Sequence, residues 1–133
     1  MIQRLQSLFL FFSTVSLLVI VYYFPLLKDS SNNVEYYLKN SSSILKCLIL
    51  ASSILSVFAI FQFRNRNKQK IVVRISRLLI TISLLLILFV ETTEVKKVAS
   101  GTLLLVIPFV FLVFANFFIN KDQKLIDESE RLR

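Results

Sequence analysis

Long uncharged and strongly apolar stretches alternate with short charged ones along the whole chain. Between charged residues these stretches cover 5–27, 47–63, 78–90 and 98–120. The first and the last are 23 residues long, enough to cross a hydrocarbon core of ~30 Å at ~1.5 Å per helical residue. The pattern therefore predicts an all-α membrane protein, in which residues 1–133 form a single integral membrane domain with four transmembrane helices.

The shorter apolar stretches determine where the predicted helices begin. The third stretch has only 13 residues, so its helix is expected to start at residue 71, which places Arg74 and Arg77 in its first turns. Their long side chains can reach the membrane surface from there. Pro108 is expected to bend the fourth span, because proline cannot donate a hydrogen bond to the carbonyl of Leu104. The predicted spans are 5–27, 44–63, 71–90 and 102–119.

The polar segments between the spans predict connections with little soluble mass. Residues 28–43 are rich in serine and asparagine, which is typical of a solvated loop. Residues 64–74 predict a basic loop, residues 91–101 a second short loop, and residues 120–133 a charged helix that continues the fourth span. None of these segments is long enough to bury a core of its own.

The composition agrees with a membrane domain and argues against catalysis. The chain is 56% hydrophobic, with one cysteine, one glycine and no histidine, and its mean hydropathy is +0.72. Without histidine, the common general base and the usual zinc and haem ligands are missing together. An enzyme acting on lipids would have to use Glu91 and Glu94, which are typical of solvated loop acids beside Lys96 and Lys97. We therefore expect no enzyme activity, no cofactor and no metal site.

The basic residues are divided unevenly between the two sides of the predicted domain. With both termini and the basic segment 64–77 on one side, that side holds eleven lysines and arginines and the other side holds five. The positive-inside rule assigns the richer side to the cytoplasm. The sequence thus predicts an N-in/C-in orientation, with the tail 120–133 as a short charged cytoplasmic helix.

Small and polar side chains within the spans are candidates for helix packing. Ser52, Ser56 and Ala59 lie on one face of the second span, and Asn116 is an amide within the fourth. In lipid, small residues let helix backbones approach closely, and polar residues bond across helices. We expect Ser52, Ser56, Ala59 and Asn116 to mediate helix packing, including contact with a partner protein.

The basic segment and the two ends of the chain are candidates for contact with partners or lipids. Basic cytoplasmic segments bind anionic lipids, and they also bind RNA non-specifically. Because topology alone explains a basic loop, contact with RNA or the ribosome is the less favoured interpretation. The candidate contact residues are Arg4, Arg64, Arg66, Lys68, Lys70, Arg74, Arg77, Lys121, Asp122, Arg131 and Arg133.

The two ends of the chain also carry a resemblance. The start Met1-Ile2-Gln3-Arg4 and the end, with Lys121-Asp122 and Arg131-Leu132-Arg133, resemble an uncharacterised family of small four-span bacterial proteins found mainly in Bacteroidota. The likeness covers the whole chain. It implies a multi-pass protein of the cytoplasmic (inner) membrane of a Gram-negative cell, and it supplies no activity, cofactor or site residue.

These features favour a non-catalytic accessory or structural subunit of a larger inner-membrane complex. Its partners would be membrane lipids, other integral membrane proteins and a cytoplasmic partner at the basic loop and tail. The alternative is a small homo-oligomeric pore, a holin-like protein or a solute carrier. No Asp or Glu lies within the four uncharged stretches, whereas ion-coupled transport normally places an ionisable residue there.

Overall fold

The fold is a bundle of long helices with a small sheet at one end. The computed structural model describes residues 2–29, 34–62, 65–91 and 96–131. Its long helices are α1 (Ile2–Tyr23), α2 (Ser43–Phe61), α3 (Arg66–Leu86) and α5 (Val106–Arg131), and a short helix α4 (Ser100–Leu104) precedes α5. A π-helical turn, Ile87–Glu91, extends α3, and a 3-10 turn, Leu38–Asn40, precedes α2.

The prediction of four membrane-spanning helices is confirmed by length and composition. Within the residues that the structure describes, four helices are long and apolar enough to cross a membrane. A period of three to four residues places buried side chains on one face of each helix, as at Leu10, Ser13 and Leu17 of α1. Large apolar side chains cover much of the outside, as expected where lipid is the solvent. The four helices are Leu5–Tyr23, Ser43–Phe61, Arg66–Val90 and Ser100–Ile126.

The long helices pack in a closed ring. Contacts join α1 to α2, α2 to α3, α3 to α5 and α5 back to α1. The α1–α5 contact is aromatic: the ring of Phe9 lies 5.3 Å from that of Phe118, 5.7 Å from that of Phe114 and 6.3 Å from that of Phe111. Leu10, Leu17, Leu45, Ile49, Ile80 and Leu112 are among the fully buried core side chains.

The two segments predicted as loops contribute strands, so the expectation of a purely helical protein was wrong at this end of the bundle. The strands are β1 (Leu27–Asp29), β2 (Glu35–Tyr36) and β3 (Lys96–Val98), in the order β2-β1-β3 with antiparallel pairing. Leu27 is paired with both Tyr36 and Val98. Pairing satisfies the backbone groups of a chain that leaves α1 beside the membrane, where unpaired groups are costly.

A close backbone contact joins the end of α1 to the start of α4. The amide of Gly101 donates to the carbonyl of Pro25 at 3.0 Å, and the amide of Ala99 donates to the carbonyl of Leu26 at 3.1 Å. The Thr102 hydroxyl donates to the same Leu26 carbonyl. A Cβ atom at residue 101 would lie 2.5 Å from the Pro25 oxygen, so the approach requires glycine.

The predicted basic loop 64–74 is helical from Arg66 onward, which corrects its assignment as a loop. The side chain of Asn65 caps α3 by accepting from the amide of Lys68 at 3.3 Å. The segment that follows contains no glycine or proline and is rich in good helix formers. The third span therefore begins five residues before the predicted residue 71.

The fourth span is interrupted near its start and continues beyond its predicted end. The break between α4 and α5 falls at Leu105, in the turn that Pro108 leaves without its hydrogen bond to Leu104. From Val106 the helix runs for 26 residues to Arg131. As far as Arg131, the tail is therefore part of the same helix as the last span.

Candidate functional site: the charged end of the bundle

Three helices meet at the end of the bundle opposite the sheet, and Asp122 of α5 joins them. A carboxylate oxygen of Asp122 lies 3.0 Å from a guanidinium nitrogen of Arg66 on α3. The same oxygen accepts a hydrogen bond from the side-chain amide of Gln6 on α1 at 3.2 Å. Gln6 also donates to the carbonyl of Phe118 at 3.3 Å. The beginning of α1, the beginning of α3 and the last third of α5 are thus held together at this end.

The next residue of α5 makes a second link to α3. The ammonium of Lys70 donates to the side-chain oxygen of Gln123 at 2.9 Å. The amide nitrogen of Gln123 donates to the side-chain oxygen of Asn67 at 3.0 Å. Consecutive residues of one helix therefore bind two successive turns of the other, which fixes the rotation of α5 about its axis.

The Arg66–Asp122 ion pair is shielded enough to matter for stability. The side chains are 20% and 13% exposed, and Arg66 also donates to the carbonyl of Asp122 at 3.4 Å. Hydrogen bonds to charged groups contribute about 1.5–3 kcal/mol each. The sequence placed both residues among the partner or lipid contacts, but the structure uses their charges within the chain.

The remaining candidate contacts are divided between exposed and half-buried positions. Lys68, Arg74 and Lys121 are exposed, while Lys70 and Arg77 are half-buried. Arg64 and Arg133 lie outside the described residues, as do the side chains of Arg4 and Arg131.

The small-residue strip of α2 lies inside the bundle. Ser52, Ser56 and Ala59 are fully buried. Each hydroxyl of the Ser52 and Ser76 pair donates to the backbone carbonyl of the other residue, at 3.2 and 2.9 Å. The carbonyl of Ala59 accepts from the side chain of Gln69 on α3 at 3.1 Å. This strip therefore packs α2 against α3 within the bundle.

Further buried polar side chains lie on α1 and α3, and two of them, Gln69 and Ser76, were not predicted from the sequence. Gln69, Ser76 and Ser83 recur every seven residues on α3, and that spacing was the signal that they share its inner face. On α1, the Thr14 hydroxyl donates to that of Ser56 at 3.2 Å, and Ser13 donates to the carbonyl of Pro108 at 3.2 Å. These hydroxyls bond α1 to α2 and to α5.

Two buried amide oxygens stand out in this interior. Gln69 is only 1% exposed, and its side-chain oxygen has no hydrogen-bond partner among the described residues. The side-chain oxygen of Asn116 is also buried and has no hydrogen-bond partner among the described residues, although Asn116 as a whole is only half-buried. Asn116 thus lies at the edge of the packed face of α5 rather than at its centre.

Each end of the bundle has a cleft. At the charged end, a cleft of about 560 Å³ is lined by Lys70, Phe117, Asn120, Lys121, Gln123 and Lys124. At the sheet end, a cleft of similar volume is lined by Val21, Tyr22, Tyr37, Leu38, Lys39, Lys46 and Leu50. The Tyr37 hydroxyl donates to the carboxylate of Glu35 at 3.1 Å, and this hydrogen bond raises the pKa of Tyr37, with a further contribution from the carboxylate charge. Tyr37 therefore remains a neutral hydrogen-bond donor.

The described part of the chain contains no group of three His, Cys, Asp or Glu residues that could hold a metal ion. Lysine and arginine are the commonest charged residues at the charged end of the bundle.

Comparison with known proteins gives one match. A protein-family model described as a domain of unknown function (DUF4293) matches residues 2–132. No curated protein and no solved structure matches the chain.

Proposed function

The chain belongs to the DUF4293 family, a domain of unknown function, and from that premise we propose that it is a non-catalytic accessory or structural subunit of a larger assembly in the bacterial inner membrane. It spans the membrane four times with both termini in the cytoplasm. Its charged end contacts a cytoplasmic partner or the cytoplasmic part of a membrane-embedded partner.

The sidedness of this proposal rests on charge. A hydrogen bond and an ion pair bring Gln6, Arg66 and Asp122 together at one end, so the first turns of α1 and α3 and the last turns of α5 share a side. The strands that follow α1 and precede α4 form the opposite end. Of the fourteen lysines and arginines in the described part of the chain, nine lie in the half of the bundle nearer the first end and five in the half nearer the sheet, and the positive-inside rule assigns the richer end to the cytoplasm.

The observation that carries the proposed role is the projection of α5 beyond the bundle. After Asp122, which is tied to α1 and α3, the helix continues to Arg131, about 13 Å further at 1.5 Å per residue. Leu125 and Ile126 are exposed on this projection, next to exposed Lys124. Apolar side chains flanked by charges on a helix held rigidly at its base are typical of a helix that packs against another protein.

The interior supports a structural role in a different way. Ser52, Ser76, Thr14 and Ser56 bond to one another or to helix backbones. Such bonds hold helices together in lipid. This use of hydroxyls favours a structural bundle over the alternative of a small homo-oligomeric pore, a holin-like protein or a solute carrier.

A purification from native membranes tests the proposal. The tagged chain is extracted in mild detergent, and the proteins that accompany it in constant stoichiometry are identified by mass spectrometry. The test variant is Leu125→Ser with Ile126→Ser, and the matched control is Glu128→Ser with Ser129→Ala, which changes two exposed polar residues of the same helix.

We expect a partner that accompanies the wild type and the control and is lost with the test variant at equal yield. A chain that purifies only as a homo-oligomer and conducts ions in reconstituted bilayers would instead establish the pore. A partner retained equally by both variants would remove the projecting helix from the proposal.

A further inference from the structure

We propose that the cleft between α3 and α5 at the charged end binds the headgroup phosphate of an anionic glycerophospholipid. This inference concerns a ligand of the bundle itself and does not depend on the existence of a partner subunit. The cleft has a volume of about 560 Å³, which is large enough for a headgroup and the first part of an acyl chain.

The lining of the cleft is strongly cationic. Three of its residues are Lys70 from α3 and Lys121 and Lys124 from α5, and none is acidic. The nearest acid along the chain, Asp122, is already bound to Arg66 and Gln6. Among the side chains that the structure describes, the ion pair of Asp122 is with Arg66, and no carboxylate lies within 4.0 Å of the three lysines. Their charges are therefore available to an anion.

The lysine on α3 is held in place before any ligand arrives. Its ammonium donates to Gln123 at 2.9 Å, and Gln123 is held by Asn67 at 3.0 Å. An ammonium has three N–H groups, so Lys70 can bind a phosphate oxygen without losing this contact. A lysine that is already held in place loses less conformational entropy on binding than a freely moving surface lysine.

The cleft also has an apolar side, and this feature points to a lipid rather than to free phosphate. Phe117 precedes Asn120 by three residues and Lys121 by four, and Lys124 follows these two by four and three, so the four residues lie along one face of α5. Phe117 is 58% exposed and lies toward the apolar part of the helix, one turn before Lys121. An acyl chain can pack on Phe117 while the phosphate lies among the lysines, with the Asn120 amide as a further donor.

The position of the cleft in the membrane agrees with this arrangement. The Arg66–Asp122 pair and the clustered lysines mark the level at which the helices leave the hydrocarbon core. Basic pockets between spanning helices at this level are suited to anionic lipid headgroups. A lipid that contacts Lys70 on one side and Lys121 on the other would also strengthen the α3–α5 contact.

Thermal unfolding of the full chain in a neutral detergent tests the site. Phosphatidylglycerol, phosphatidylcholine, inorganic phosphate and a short RNA are added in separate titrations. We expect phosphatidylglycerol at ten times its Kd to raise the Tm by about 5 °C, and the other three to produce less than a quarter of that shift. Native mass spectrometry should show one bound phosphatidylglycerol at the same ratio of lipid to protein.

Variants distinguish lipid binding in the cleft from a general effect of positive charge on the protein surface. Lys70→Gln with Lys121→Gln and Lys124→Gln should abolish the shift, and the corresponding three arginine substitutions should retain it. Lys28→Gln with Lys68→Gln and Lys97→Gln removes three exposed charges elsewhere and should respond like the wild type. If the glutamine variant does not fold, Phe117→Ala serves in its place and should reduce the lipid shift at least twofold.

Four results would overturn the proposal. They are equal shifts with both lipids, an undiminished shift in the glutamine variant, a shift with inorganic phosphate as large as that with phosphatidylglycerol, and a larger shift with RNA. The third would indicate a free-phosphate site, and the fourth a nucleic-acid surface.

Discussion

Two helix contacts of the same bundle are built from opposite kinds of side chain. Between α2 and α3 the contact is small and polar, with Ser52 bonded reciprocally to Ser76. Between α1 and α5 it is large and aromatic, with Phe9 stacked on Phe118 at 5.3 Å and an interplanar angle of 10°. Both contacts hold spanning helices together, although lipid removes most of the hydrophobic gain that would drive such packing in water.

The difference shows which property each contact depends on. Hydroxyl and methyl side chains allow the backbones of α2 and α3 to approach, so that the Ser52 and Ser76 hydroxyls can reach carbonyls of the facing helix. Between α1 and α5, aromatic rings supply a large contact area and ring-to-ring attraction. The first contact should therefore be sensitive to added volume, and the second to removed volume.

The largest effect is expected from adding volume to the polar contact. Ser52→Leu places a large side chain where Ser76 now lies, so it should lower the free energy of unfolding by about 3 kcal/mol. Equilibrium unfolding in mixed micelles measures the change. Cys47→Leu, at an exposed small residue of the same helix, is the control and should change stability by less than about 0.5 kcal/mol. Equal effects of the two variants would mean that α3 does not pack closely on this face.

Added volume should also separate α1 from α4 at the sheet end. Gly101→Ala brings a methyl group against the Pro25 carbonyl, and we expect a loss of about 2 kcal/mol. In an unhindered helix the same change would raise the free energy of unfolding by about 1 kcal/mol. The sign of the measured change therefore distinguishes the two cases. Ser100→Ala at the exposed neighbouring position is the control. A stabilised Gly101→Ala variant would disprove the close approach.

Removed volume should weaken the aromatic contact. Phe9→Ala deletes the ring shared with Phe111, Phe114 and Phe118. Phe9 is only partly buried and lipid can fill part of the space, so we expect a loss of about 1.5 kcal/mol rather than the larger values of aqueous cores. Phe61→Ala, at an outward-facing ring, should have little effect. If both alanine variants unfold at the same denaturant concentration, the aromatic cluster does not stabilise the bundle.

The smallest effect is the energy of the hydroxyl bonds themselves. A double-mutant cycle of Ser52→Ala and Ser76→Ala should give a coupling of about 0.6 kcal/mol, the average for bonds between spanning helices. A control cycle combines Ser53→Ala, in place of Ser52→Ala, with Ser76→Ala. The Ser53 hydroxyl donates to the Leu50 carbonyl of its own helix at 2.8 Å, so no coupling is expected. Coupling of equal size in the two cycles would show that the reciprocal bonds add nothing specific.

The spans were predictable from the sequence because they depend only on local apolar length. The helical start of α3 was predicted five residues too late, because the charged residues from Arg66 to Lys70 were interpreted as a loop although nothing between Arg66 and Arg77 breaks a helix. The sheet was not readable, because Leu27 and Val98 are distant in sequence and pair through backbone groups. The strands are too short to show an alternating pattern.

The candidate site was predictable in its composition and not in its connections. The number of spans and the distribution of basic residues along the chain place Gln6, Arg66 and Asp122 at the same end of the bundle. Whether they bond to one another depends on α5 lying between α1 and α3, and the hydrophobic pattern does not specify that order. The same order explains why Ser52 faces α3 rather than a partner.

Thiol accessibility in spheroplasts tests most directly the central claim that this is a membrane bundle with its basic end in the cytoplasm. Single cysteines replace Lys39, Lys68 or Lys124, all exposed, in a chain carrying Cys47→Ser. The account predicts that an impermeant maleimide labels position 39 in intact spheroplasts, and positions 68 and 124 only after permeabilisation. Labelling of positions 68 and 124 from outside with position 39 protected, or equal labelling of all three in intact spheroplasts, would contradict it.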